Sequence, residues 1–312
     1  MKDNYGREVN SLRLSITQRC NLSCFYCHNE GQEKNTQELS PAEIEAIAKA
    51  ASSLGISKLK VTGGEPLLRA DVAHIVERAS QYMSETSLTT NGVRLLEYTH
   101  QLKRAGLSRI NASLPSIDAD TYRRITGKPY QSQVIQGIQK AASEGFGLLK
   151  INTVLLKGVN EGEVDQLAQF CFENRAILQL IELEVPKEQV GGGFYQQYHF
   201  DLTSLENELG RRAIQTITRK LHHRKQYVLP WNKGEVTIEI VKPMHNTEFC
   251  QNCSRIRVTS GGGIKTCLWS KNGLVNIAGL TRPEDQPKLE QSFITAIRNR
   301  KPYYRAVQET VL

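Results

Sequence analysis

The sequence predicts an α/β fold, a parallel sheet with crossover helices followed by a smaller α+β segment. Two patterns carry this expectation. Through roughly the first 185 residues, short strand-length apolar runs alternate six times with stretches whose apolar residues recur at helical spacing. Parallel strands need crossover connections, and helices supply them. At Gly191-Gly192-Gly193 the alternation stops, and shorter elements follow without a βα rhythm.

The expected strands are 12–16, 58–62, 86–90, 109–114, 148–154 and 178–183. Between them, 41–54, 71–83, 94–105, 133–145 and 161–174 have helical periodicity. Ser40-Pro41 provides an N-cap and a proline suited to a first turn, and Arg69-Ala70-Asp71 is a second helix start. After the triple glycine, 201–222 reads as a helix with His222-His223 near its end. Strands are expected near 225–230 and 235–242, then at 255–259 and 264–268 across the Gly261-Gly262-Gly263 turn, with a last helix at 287–299. The boundary is placed so that 1–190 form the first domain and 191–312 the second, which covers its mouth.

A chain of 312 residues can bury a large core. It carries 40 Lys and Arg against 32 Asp and Glu, a net charge of +8. No Lys/Arg block dominates and no nucleic-acid module is present, so part of this excess is expected to face a polyanionic small substrate rather than nucleic acid. No apolar run has the length of a membrane span. Met1-Lys2-Asp3-Asn4-Tyr5 is polar, unlike a signal peptide, and the clustered thiols suit a reducing cytoplasm.

Six of the seven cysteines form two triplets. The first is CxxxCxxC, at Cys20, Cys24 and Cys27, directly after the first strand. Three thiolates can hold three irons of a [4Fe-4S] cluster and leave the fourth iron open to a small molecule. Ferredoxins supply four cysteines per cluster, and structural zinc sites close all four positions. The bland alternative is a zinc loop or unrelated buried thiols. The second triplet, Cys250, Cys253 and Cys267, has CxxC, thirteen residues, then Cys. Structural zinc with His245 as fourth ligand competes here. Cys171 stands alone in a helical stretch and reads as core. The second strand ends in Gly63-Gly64-Glu65-Pro66, whose glycines allow φ > 0 and close backbone approach to a ligand.

With CxxxCxxC and Gly63-Gly64-Glu65-Pro66 in this order, the chain resembles the radical SAM superfamily. The run Phe249 to Thr259, Cys267-Leu268, Tyr5-Gly6-Arg7, Thr89-Thr90-Asn91-Gly92 and Lys150-Ile151-Asn152-Thr153-Val154 make it similar to the GTP 3',8-cyclases of molybdenum cofactor biosynthesis, often called MoaA. Cys27-His28-Asn29-Glu30-Gly31 is nearest the archaeal branch. The resemblance implies a partial (β/α)6 TIM-like barrel whose motifs lie at the C-terminal strand ends, and a C-terminal domain carrying a second cluster.

It also implies a mechanism. Cys20, Cys24 and Cys27 hold the cluster that reduces S-adenosylmethionine. The resulting 5'-deoxyadenosyl radical takes hydrogen from C3' of GTP, and attack on C8 gives 3',8-cyclo-7,8-dihydro-GTP. Cys250, Cys253 and Cys267 hold the cluster that anchors guanine. Tyr26, Gly64 and Ser113 are implied contacts of S-adenosylmethionine, although Tyr26 alone would read as core and Ser113 as a satisfied strand-end hydroxyl. Arg13, Lys60, Lys150 and Thr90 are implied for the triphosphate, where a lone strand lysine would ordinarily be a solvated edge residue. Arg255 and Arg257 lie two apart on a strand and share a face, with Ile256 of the same substrate-binding run turned away. Implied partners are GTP, a low-potential electron donor and the next enzyme of the molybdopterin pathway; a homodimer is left open.

The chain departs from most bacterial members at Gln179, where they have Arg, at Glu184, where they have Met beside the adenosine, and at Lys60, which replaces a common Arg. Ser260-Gly261-Gly262-Gly263 replaces an Asp-Gly turn and is expected to be more mobile. The end, Glu309-Thr310-Val311-Leu312, lacks the Gly-Gly of many members. The competing readings are another radical SAM enzyme with an auxiliary cluster, such as a peptide-modifying one, and a non-catalytic iron-sulfur or zinc nucleotide-binding protein. Anaerobic reconstitution should load about eight irons per chain if both triplets hold four-iron clusters. Iron and zinc analysis checks this, and zinc at the second triplet would contradict it.

Overall fold

A computed structural model describes residues 1–270 and 275–305. The chain end at 309–312 lies outside the described residues. Six parallel strands follow in order: β1 (Ser11–Ser15), β2 (Lys58–Thr62), β3 (Glu85–Thr90), β4 (Arg109–Ser113), β5 (Leu148–Val154) and β6 (Ile177–Ile181). Crossovers are made by α1 (Pro41–Ser53), α2 (Val72–Ser80), α3 (Leu95–Arg104), α4 (Ala119–Thr126) with α5 (Gln131–Ser143), and α6 (Val164–Glu173). Ser40 caps α1 in a capping box with Glu43, satisfying two backbone donors at once. The six strands lie where the periodicity placed them, within a residue or two at each end. Helix α4 was not foreseen because it is short and largely polar, with Tyr122, Ile125 and Thr126 as its buried residues.

The second part is α7 (Gly193–Tyr198), α8 (Thr203–Arg212), β7 (Gln215–Thr218), β8 (Lys225–Trp231), β9 (Gly234–Val241), α9 (Thr247–Gln251), β10 (Arg255–Val258), β11 (Gly263–Lys265), β12 (Val275–Asn276) and α10 (Gln286–Arg298). The single helix expected over 201–222 is corrected. It stops at Arg212, and the β-branched run Thr216-Ile217-Thr218 pairs with β8 as an edge strand. His222 lies beyond that strand at φ 63° and stacks on Phe249. The strand expected over 264–268 ends at Lys265, so Cys267 lies in the turn that follows.

β1 does not pair with β6. Instead β10 pairs parallel with β1, and β9 pairs parallel with β6. The six-strand barrel is therefore open along one side, and strands of the C-terminal segment extend both of its edges. The sheet order among the described residues is β12-β11-β10-β1-β2-β3-β4-β5-β6-β9-β8-β7. It runs without a break across the boundary expected at residue 190, and Gly192 serves as the N-cap residue of α7.

The outward faces of the strands, such as Leu12, Leu14, Leu59 and Val61, pack against the helices and are essentially fully buried. Cys171 on α6 is fully buried in the same core, as expected. The chain ends are tied to the second triplet by charge. Fully buried Arg300 donates to Asp3 at 2.9 Å and to the Cys253 carbonyl at 2.7 Å. Arg7 donates to Asp3 at 2.8 Å and to the Cys250 carbonyl at 2.9 Å. Arg300→Met should lower stability by about 3 kcal/mol, the scale of breaking a buried ion pair. Anaerobic denaturation measures this, and a change within error would show the network to be dispensable.

Candidate active site

Register decides what lines the interior. Arg257, Arg13, Lys60 and Ser87 are neighbours across β10, β1, β2 and β3. Asn111 and Lys150 are neighbours across β4 and β5, and Asn152, Gln179, Glu239 and Gln226 across β5, β6, β9 and β8. Neighbours in register share a face, and these faces meet around a cavity of ≈ 900 Å³. Cys20, Cys24, Cys27, Tyr26, Gly64 and Ser113 line it, together with Arg13, Lys60, Thr90, Lys150, Arg255, Arg257 and Cys253. Ile256 turns its side chain into the hydrophobic core at 0% exposure.

The first cysteine loop is suspended between two supports. On one side, Gly64 N–H donates to the Thr17 carbonyl and Glu65 N–H to the Arg19 carbonyl, both at 2.7 Å. On the other, Ser23 N–H donates to the Thr126 carbonyl and Phe25 N–H to the Ile125 carbonyl, both at the end of α4. This corrects the positive φ expected of the glycine pair. Neither Gly63 nor Gly64 has positive φ. A Cβ on Gly64 would sit 2.3 Å from the Arg19 carbonyl oxygen, and one on Gly63 2.6 Å from that of Thr17. The glycines let the turn close onto the cysteine loop.

Glu65, which sequence reasoning passed over, is fully buried at the same junction. Its carboxylate accepts from Leu67 N–H at 2.9 Å, Thr90 Oγ1 at 2.7 Å and Asn91 N–H at 2.6 Å. Burial pushes its carboxyl up to about 7, against the pull of these donors. Thr90, expected to donate to phosphate, therefore spends its hydroxyl proton on Glu65. The signal was present in the Pro66 that fixes the turn, but the partners come from β3.

Both triplets fit iron-sulfur ligation. All their thiols are free. Leu22 N–H approaches Cys20 Sγ at 3.5 Å, Asn29 N–H Cys27 Sγ at 3.4 Å, and Tyr304 N–H Cys250 Sγ at 3.4 Å. Burial pushes Cys24 up to about 12, and Cys27 and Cys20 add to the rise; a bound cationic centre would favour the thiolate forms. Burial likewise raises Cys250 and Cys267, each also raised by Cys253. For Cys253 burial pushes upward too, but Arg300 and the Arg255 N–H outweigh it and lower the thiol. His245 tilts against Tyr304 at 5.1 Å between ring centres.

The cations are the dominant feature of the cavity wall. Glu30 takes a fork from Arg13 (3.0 and 2.5 Å), Arg257 at 2.7 Å and the Thr62 hydroxyl at 2.9 Å. Burial opposes its ionisation, but Arg13 and Arg257 hold it well below the usual carboxylate range. Glu239, fully buried, is paired with Lys150 and, at 2.7 Å, with Arg224; Gln179 donates to it at 2.6 Å and Gln226 at 2.5 Å. Arg224 was not foreseen. It stands just before β8 and supplies a guanidinium beside Gln179, the position where bacterial members carry Arg. Lys60 donates to Asn111 Oδ1 at 2.7 Å. Among the described residues, neither Lys60 nor Arg255 has a carboxylate partner. Burial and then Arg13 press both downward, the Arg255 guanidinium to about 9. An anion entering here would relieve that repulsion.

Glu184 also lines the cavity, its carboxyl raised by burial and pulled back by His28, Arg257 and Arg13. Lys265 ties the two cysteine segments, donating to the Gly31 carbonyl and, at 3.0 Å, to that of Leu268.

Comparisons with known proteins agree with this architecture. Residues 14–171 match the Radical SAM superfamily and residues 176–306 match Molybdenum Cofactor Synthesis C. A probable GTP 3',8-cyclase of Pyrococcus abyssi is 43% identical over 303 residues, 97% of this chain and 99% of that protein. One from Archaeoglobus fulgidus is 44% identical over 310 residues, 98% of this chain and 99% of that one. Among solved structures, Streptococcus suis SuiB bound to S-adenosylmethionine aligns with a TM-score of 0.68 at 16% identity, covering 94% of this chain and 68% of that one. SuiB bound to its precursor peptide SuiA aligns at 0.64 and 17% identity, over 86% of this chain and 62% of that longer chain. These likenesses show the fold. The chain belongs to the radical SAM superfamily, and within it to the MoaA family of molybdenum cofactor biosynthesis. Its cofactors are two [4Fe-4S] clusters and S-adenosylmethionine.

Gly64→Ala should lower iron content at the first triplet and abolish S-adenosylmethionine cleavage, because its methyl group meets the Arg19 carbonyl. Normal cleavage by the alanine variant would refute the close-approach account.

Proposed function

We propose that this chain is a GTP 3',8-cyclase. The observation that carries the reading is one cavity in which the three thiols of the first triplet, Cys253 of the second and a wall of buried cations come together, with Lys60 and Arg255 lacking carboxylate partners among the described residues. Once loaded, the first cluster and S-adenosylmethionine supply the radical that removes hydrogen from C3' of GTP.

The chain's own residues position and protect. Arg13, Lys60, Lys150, Arg224, Arg255 and Arg257 hold the triphosphate, a charge no neutral surface would retain. Glu30 and Glu239 orient those cations while no phosphate is present. Tyr26, Gly64 and Ser113 hold S-adenosylmethionine against the first triplet. Cys250, Cys253 and Cys267 place the guanine at the far side. Fixing both ends leaves the ribose between them, and the enclosing sheet keeps water from it. A low-potential carrier supplies the electron, the product passes to the next enzyme of the pathway, and the site of action is the cytoplasm.

GTP deuterated at C3' should pass its deuterium to 5'-deoxyadenosine, read by mass spectrometry; cleavage without transfer would overturn the GTP assignment. Lys150 adds a pH dependence. Burial brings its ammonium down to about 8, although Glu239 pulls the other way. It is charged below that pH and neutral above it, so GTP affinity should fall as pH rises through about 8. Lys150→Arg, which stays charged, should flatten that fall in anaerobic titrations. An unchanged profile would remove Lys150 from the clamp.

A further inference from the structure

Phe25 lies inside the first cysteine loop yet is 37% exposed, and Phe194 on α7 is 40% exposed. Their rings meet edge-on at 6.2 Å, and Tyr198 joins both, at 4.9 Å from Phe25 and 5.2 Å from Phe194. Such a cluster is costly to leave in water unless something covers it. Exposed cations stand on two of the segments bonded to it. Arg123, Arg124 and Lys128 are exposed at the end of α4, to which the loop is hydrogen-bonded through Ser23 and Phe25. Exposed Lys157 donates its backbone N–H to the Tyr198 carbonyl at 2.9 Å. Arg123, Lys128 and Lys157 have no carboxylate partner among the described residues. Exposed Asp118 and Asp120 stand at the opposite, N-terminal end of α4. Glu161 accepts from Gly158 and Val159 N–H, and Glu163 from Ser116 and Ile117.

We propose that this aromatic patch with its cationic rim is the docking surface for an acidic one-electron carrier protein, which delivers its electron through the Cys24–Cys27 segment. Two observations choose that occupant. The exposed charges at the end of α4 and at Lys157 are cationic, so an acidic partner is drawn there. Phe25 is flanked in sequence by Cys24 and is two residues from Cys27, so a carrier seated on its ring lies beside the first triplet. Aromatic contacts with a charged rim are also the usual anatomy of a transient interface. The step balances simply. One electron leaves the reduced carrier, which is oxidised by one, and enters the cluster held by Cys20, Cys24 and Cys27, which is reduced by one. The proposal rests on the radical reading only in requiring that this cluster be reduced; it does not depend on GTP.

The test uses the reconstituted holoenzyme and a reduced plant-type ferredoxin as the acidic probe, with dithionite as the small-molecule control. Cluster reduction is followed by absorbance and magnetic resonance without GTP, and ferredoxin binding by titration. The charge-reversed variant R123E/K157E and the variant F194S should each slow reduction by ferredoxin about tenfold or more and weaken its binding. Both should leave the dithionite rate and iron content unchanged. Added salt should slow wild-type reduction by ferredoxin and affect the charge-reversed variant little. Unchanged ferredoxin rates in both variants would overturn the proposal, as would an equal loss with dithionite. So would a wild-type dimer that F194S converts to monomer, since a second copy would then occupy the patch. Failure of GTP cyclisation alongside normal ferredoxin behaviour would count against the cyclase reading and leave this surface standing.

Discussion

Like-charge repulsion among buried cations is the constraint around which this interior is built. Arg13, Lys60, Lys150, Arg224, Arg255 and Arg257 come from five strands or their ends and point toward one cavity. Unopposed, such a group would expel itself from a low-dielectric interior. Glu30 and Glu239 oppose it at two points, each bound by two cations and by neutral donors. Lys60 and Arg255 are left without a carboxylate partner among the described residues. That arrangement suits the cavity to a polyanion.

A second dependency joins the cysteine loop to the sheet. The loop has little secondary structure of its own, and its shape is imposed from outside by the Gly63-Gly64 turn and the end of α4. Glu65 then locks that turn to the end of β3. The geometry of the three thiols is thus a property of three neighbouring βα connections. The second triplet depends likewise on Arg7, Arg300 and Asp3, which bring together the two ends of the chain.

The C-terminal segment is best understood as completing the barrel. β10 lies against β1 and β9 against β6, so the segment adds interior-facing residues from both open edges. Arg255 and Arg257 enter from one side, Glu239 and Arg224 from the other. A chain cut between the two parts would lose half of the clamp and expose two sheet edges.

The local sequence settled what local physics can settle. Six strands and five of their helices were legible because apolar period separates them. The cysteine triplets and the shared face of Arg255 and Arg257 were legible because spacing alone defines them. Family resemblance pointed to Arg13, Lys60 and Lys150 before any contact was known. What it could not reveal were the compensating partners. Glu30, Glu65, Glu239 and Arg224 look like ordinary charged residues in sequence, and their roles arise only when register aligns strands tens to hundreds of residues apart. Helix 201–222 failed for the same reason, since pairing with β8 turned its β-branched end into a strand. Thr90, expected to donate to phosphate, donates its hydrogen bond to Glu65 instead. The sequence by itself determined the elements, the two cysteine triplets and the sign of the cavity's charge. The tertiary structure decided which charges oppose which, because burial and distance across the sheet fix those pairings.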